Sequence, residues 1–134
     1  MKLFVIKIFV LVGLFSVFTG CDTALVSEVK QTKYGKGITI AELFEDSDFC
    51  DSVDWSEVEY EKGQKLVLME CQLPEEGIAY KGFDTLLYHF EKTKNDVDVY
   101  NSFYENDKEE LIERSAWEAN LLLRASMEYI LKNR

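Results

Sequence analysis

Few side chains in this chain are equipped for chemistry, and their spacing limits what they can do. There is one histidine, His89, and there are three cysteines, Cys21, Cys50 and Cys71. A catalytic triad or a zinc site needs histidine in the company of other bases or ligands, and no such motif surrounds His89. It falls instead in the run Thr85-Leu86-Leu87-Tyr88-His89-Phe90, which predicts a strand. Glu75 and Glu76 are a carboxylate pair of the kind that serves acid–base work, but side by side after Pro74 they are expected to face solvent in a loop. The acidic run from Glu45 to Asp54 invites a calcium reading, because Asp46 at position 1 of an EF-hand loop sets Asp48, Asp54 and Glu57 at positions 3, 9 and 12. Cys50 then takes position 5, and Asp51 takes position 6, where the turn needs glycine. A solvated loop without metal is the expectation. With no Gly-rich phosphate loop, no Gly-x-Ser-x-Gly and no Cys-x-x-Cys, the residues imply neither an enzyme nor a cofactor.

Cys21 stands apart because of what precedes it. Lys2 and Lys7 open the chain, an apolar stretch runs to Thr19, and Gly20-Cys21 follows. A basic start, a short apolar run and a small residue at the cut form a secretory signal peptide over 1–20. Residues 3–20 approach the length of a membrane span, but Lys7 breaks them and leaves an apolar core of about a dozen residues, the length of a signal core. The tetrad Phe18-Thr19-Gly20-Cys21 resembles the lipobox of bacterial lipoproteins, with Phe18 where an aliphatic residue is usual. The resemblance implies cleavage before Cys21, a diacylated Cys21 thiol and an acylated new amine, so that palmitate-type chains hold the protein to a membrane. Each buried methylene of such chains contributes about 0.8 kcal/mol. Asp22 resembles the residue that retains enterobacterial lipoproteins in the inner membrane. The resemblance therefore slightly favours the inner membrane over the outer, with the domain on the periplasmic side.

The remainder is one domain's worth of chain. The 134 residues carry 25 acidic and 15 basic side chains, a net charge of −10, and Lys2 and Lys7 leave with the signal. Such an excess argues against nucleic acid as a partner and against a domain lying flat on anionic lipid. In an exported domain the even pair Cys50 and Cys71 predicts a disulfide, closing a loop of about 21 residues worth about 3 kcal/mol.

The elements that would position these residues can be read from pattern. Residues 21–36, which begin with the lipidated Cys21, are expected to form a tether, and 37–134 a single α+β domain. Thr39 and Glu42 form a capping box, with Ile38 and Leu43 as its hydrophobic staple, predicting a short helix over Ile40–Asp46. Alternating runs over 53–60 and 65–73, joined around Gly63, predict one β-hairpin. The runs over 85–90 and 97–104 predict a second. A long C-terminal helix is expected from a cap at Asn106 or Asp107, with Glu109 and Glu110 in its first turn and a Glu110–Arg114 pair. Its buried stripe would be Ile112, Ala116, Ala119, Leu123 and Ile130. The expected order is a short helix, a four-stranded antiparallel sheet and a long helix packed on it.

That sheet is apolar on both faces. Val67, Met69, Cys71 and Leu73 share one face with Leu86, Tyr88 and Phe90, and strict alternation adds Val97, Val99 and Phe103. Leu66, Leu68, Leu87, His89, Tyr100 and Tyr104 fall on the other. If part of that second face stays open, Leu66, Leu68, His89, Tyr100 and Tyr104 form an aromatic-edged protein-binding patch. The expected function is a membrane-anchored envelope lipoprotein that binds a protein partner without catalysis. The alternatives are a structural or stress-related envelope protein, or a small-ligand binder or hydrolase.

Overall fold

Apolar alternation along residues 52–74 and 82–113 folds into one antiparallel meander, and the three α-helices among the described residues cover one of its faces. The computed structural model describes residues 23–74 and 82–134. Residues 1–20, expected to be a signal peptide, the lipobox-like tetrad with Cys21, and Asp22, Glu75 and Glu76 lie outside them. In chain order the elements are α1 (Ala24–Gln31), β1 (Lys33–Gly35), β2 (Ile38–Thr39), α2 (Ile40–Glu45), β3 (Ser52–Glu59), β4 (Lys65–Gln72), β5 (Phe83–Lys92), β6 (Val97–Asn106), β7 (Leu111–Glu113) and α3 (Ala116–Asn133). Strands β1 and β2 pair as a small hairpin, and β3 to β7 form a five-stranded sheet in sequence order. The class is α+β as expected, but the sheet has five strands where four were predicted.

Both predicted hairpins are present. Strand β3 pairs with β4 from Ser52↔Gln72 to Glu59↔Lys65. Their connection turns through Lys62 and Gly63, at φ 59° and 76°, the left-handed region that glycine enters without strain. Helix α2 starts as predicted. The Thr39 side chain accepts from the Glu42 amide at 3.2 Å, and the Glu42 carboxylate accepts from the Thr39 amide at 2.8 Å. Ile40, Leu43 and Phe44 are buried. At the far end of the chain Arg134 pairs with Glu42 and with Asp46, closing α3 onto α2.

Two expectations are corrected. The stretch read as a tether is helix α1 from Ala24 onward, capped by Thr23, with Val26 and Val29 buried in the core. Its apolar positions Leu25, Val26 and Val29 recur at helical spacing, but over only eight residues. The long helix does not begin at Asn106. The Asn106 side-chain carbonyl accepts from the amides of Lys108 and Glu110, at 3.0 and 2.8 Å, which folds the chain into a turn. Strand β7 follows, and α3 begins after Ser115, whose hydroxyl accepts from the Glu118 amide in a second capping box. That Ser-x-x-Glu pattern repeats the signal that marks α2. Ile112 therefore belongs to a strand and Ala116 is exposed, while Ala119, Leu123 and Ile130 are buried as expected. Arg114 does not pair with Glu110.

The faces of β6 depart from strict alternation for a local reason. His89 pairs with Asn101 and Phe90 with Val99, so Tyr100 is an extra residue, a β-bulge. Beyond it every side chain changes face. Tyr104 joins Val67, Met69, Cys71, Leu86, Tyr88 and Phe90 on the helix-covered face, and Phe103 joins the other. All three helices contribute to the first cluster. The second is made of Val58, Leu66, Leu68, Leu87 and Phe103, with Tyr60 and Leu111 packed against it, and no described helix adds to it.

Cys50 and Cys71 form the predicted disulfide, their Cα atoms 5.4 Å apart. It fastens the loop after α2 to β4. Thiol titration of the denatured, unreduced protein should find neither cysteine free, and reduction should cost about 2–5 kcal/mol of stability. Leu123→Ala should cost about 2–5 kcal/mol in a denaturant titration, whereas Leu122→Ala, half-buried, should cost clearly less. Equal effects at the two sites would mean that α3 is not packed through Leu123.

Candidate functional site

The five residues expected to form an open patch do not form one. Leu66, Leu68 and His89 share the second sheet face but are buried, with 1% or less of each exposed. Tyr104 lies on the opposite face because of the bulge. Tyr100, the bulge residue, is 41% exposed, and its ring meets Tyr60 edge-on at 5.4 Å. Of the predicted set, only Tyr100 offers broad surface.

His89 is structural in its surroundings. Its Nδ1 lies 2.6 Å from the Asn101 side-chain oxygen, which can only accept, so the neutral ring carries its proton on Nδ1. The Phe103 ring meets it edge-on. Burial drives the imidazole down to about 4, and the Asn101 bond offsets only part of this. Glu70 on the same face is pushed upward by burial and by Asp54, its cross-strand neighbour. The residues of the calcium reading are engaged separately. Cys50 is in the disulfide, Asp48 accepts from the Tyr129 hydroxyl, and Glu57 accepts from Thr23. Among the described residues no group of three or more His, Cys, Asp or Glu side chains could hold a metal ion.

Sequence reasoning missed Arg114. Its guanidinium is buried, donating to the Tyr88 hydroxyl at 2.9 Å, the Ser102 hydroxyl at 3.0 Å and the Glu118 carbonyl at 3.2 Å. It also lies over the rings of Tyr88 and Tyr104, at 5.3 and 5.1 Å. Tyr88 in turn donates to the Ala119 carbonyl at 2.7 Å, and burial raises its hydroxyl to about 12. The network joins β5, β6 and the first turn of α3. It holds the helix on the sheet. The signal was the Ser115–Glu118 capping box, which places Arg114 before the helix and not on its surface.

An open apolar cleft lies at the end of the sheet. Asp48, Phe49, Leu73, Pro74, Leu86, Tyr104 and Leu122 line a volume of about 440 Å³. Phe49 precedes Cys50, and Leu73 follows Cys71 by two residues, so the disulfide ties two of its walls together covalently. The Tyr129–Asp48 hydrogen bond ties the loop wall to α3. Among the described residues the lining offers one carboxylate and no convergent set of polar groups. Such a site suits apolar side chains better than it suits chemistry.

The buried imidazole gives a pH dependence with a definite sign. Unfolded histidine protonates near 6.5, while His89 resists until about 4. The unfolded chain binds the extra proton in that window, so the His89 contribution is present above 6.5 and lost as pH falls through 4, about 3 kcal/mol in all. Glu70 acts in the opposite sense, its contribution being present at low pH and lost as pH rises through its elevated value. Urea titrations of wild type and His89→Asn between pH 7 and 4 separate the two. The wild type should lose more stability on acidification, and parallel curves would contradict the burial of a neutral His89.

Among the described residues no helix is long and apolar enough to cross a membrane. No protein-family model matches the chain. Neither the curated proteins nor the solved structures yield a match.

Proposed function

We propose that this is a lipid-anchored envelope protein whose domain faces the periplasm and works by binding another protein, not by catalysis. Residues 1–20 are the signal, Cys21 carries the acyl chains, and Asp22 favours the inner membrane. The disulfide supports this location, because such bonds persist in oxidising compartments and are rare in the cytosol. Since Thr23 already caps a packed helix and donates to Glu57, the packed domain begins two residues after Cys21 and sits close to the bilayer.

The observation that carries the binding reading is the apolar cleft. About 440 Å³ of open, apolar volume between Phe49, Leu73, Leu86, Tyr104 and Leu122 receives one or two apolar side chains of a partner. Its walls are pre-set by the disulfide, so little ordering cost is left for the moment of binding. A small apolar ligand is the second reading, favoured only by the volume, which lies within the range of ligand pockets.

Two measurements test this. Labelling with a tagged palmitate should mark the wild type and spare Cys21→Ser; an unlabelled wild type contradicts the anchor. A photo-reactive residue at Leu122 should give one stoichiometric protein adduct in cells, and Phe49→Asp should abolish it by placing charge in the cleft. No adduct, or an adduct indifferent to Phe49→Asp, contradicts the binding site.

A further inference from the structure

Helix α3 has a second stripe opposite the buried one. Ala119, Leu123, Ser126 and Ile130 point into the core. Trp117, Leu121, Arg124, Glu128 and Leu131 follow one another at steps of 4, 3, 4 and 3 residues. All five are exposed, Trp117 by 72%, Leu121 by 46% and Leu131 by 37%. At about 100° per residue they occupy one arc roughly opposite the core stripe. Alternating steps of 4 and 3 are the spacing of a coiled-coil seam, whose residues insert between those of a second helix. Trp117, Leu121 and Arg124, with Tyr34 and Asn120, also line a recess of about 250 Å³.

We propose that a second copy of this chain docks on this seam, with its α3 antiparallel to the first. The order of residues along the stripe selects that occupant. A two-fold axis level with residue 126 sets Leu121 against the partner's Leu131 and Arg124 against the partner's Glu128. Symmetry then repeats both pairs. Trp117 comes level with the end of the partner helix, just past its Arg134, where Lys132, three residues back, provides a cation for its ring. Parallel docking would instead oppose Arg124 to Arg124 and Glu128 to Glu128, which disfavours that orientation. The seam is thus complementary to itself in one orientation only. It lies apart from the cleft, so the pairing is independent of the binding proposed above. A single helix pair is small for an interface, and the dimer is accordingly weak.

Sedimentation equilibrium of the full chain, in density-matched detergent over a broad micromolar range, reads the association directly. A reversible monomer–dimer equilibrium is expected. Arg124→Glu and Glu128→Arg should each raise Kd by about tenfold or more, since each turns two attractive pairs into two repulsive ones. The double swap R124E/E128R should restore Kd to within about threefold. Leu121→Asp should leave a monomer whose thermal transition matches that of the wild type at concentrations where the wild type is itself monomeric, because the position is exposed. A monomer at every concentration overturns the proposal, as does a dimer that ignores the single swaps or is not rescued by the double swap. Association that tracks detergent and not protein concentration would assign the seam to lipid and overturn it equally.

Discussion

The Cys50–Cys71 bridge is the constraint on which the rest of the molecule leans. Residues 46–51 are an irregular loop, and irregular backbone without cross-links is the first part of a small domain to open. The bridge pins that loop to the last residues of β4, on the covered sheet face. Helix α2, which ends where the loop begins, is held over the sheet in consequence. Phe44 on α2 can then sit among Phe49, Trp55, Tyr88 and Phe90, with ring centroids 5.2–6.2 Å away. Those aromatic contacts form one side of the core, and the same fastening sets Phe49 and Leu73 as facing walls of the cleft. Stability and the shape of the candidate site therefore have a common origin.

A second anchor acts toward the opposite edge of the sheet, next to β7. Arg114 gathers Tyr88, Ser102 and the first turn of α3 into one hydrogen-bonded group, so the long helix leaves β7 in a fixed direction. Burying a cation is costly unless its donors are met; here three acceptors and two ring faces serve Nη1, Nη2 and the guanidinium plane, while Nε is buried without a partner. Ser102 is itself fixed by donating to the Leu87 carbonyl at 2.7 Å. With α3 so held, its inner stripe closes the core and its outer stripe is presented as a straight, exposed row. One helix thereby serves the fold with one side and offers a surface with the other.

The features legible in the sequence were the local ones. The Thr39–Glu42 box, the turn at Gly63, both hairpins and the cysteine pairing each depend on residues whose physical preference is strong and short in range. What escaped depended on context. Helix α1 has too few apolar positions to show a period, and only the core beneath it gives Val26 and Val29 something to bury against. Asn106 is a good helix cap in isolation, yet its side chain closes a turn because β6 hands the chain on to β7. The bulge at Tyr100 leaves no signature in an alternating run, and one extra residue moved Tyr104 and Phe103 to opposite faces. For that reason the site read from alternation was wrong in membership, while the cleft, assembled from a loop, the residues just past β4, two strands and a helix, had no sequence signal at all.

The Cys50–Cys71 bridge joins two walls of the cleft that is proposed to bind a partner. The most direct measurement compares photo-adduct yield from position 122 in cells between the wild type and a Cys50→Ala/Cys71→Ala variant that still accumulates at the membrane. Loss of most of the adduct in the variant is the predicted result. An undiminished yield would show that the partner does not depend on the walls the bridge holds together, and would contradict the account.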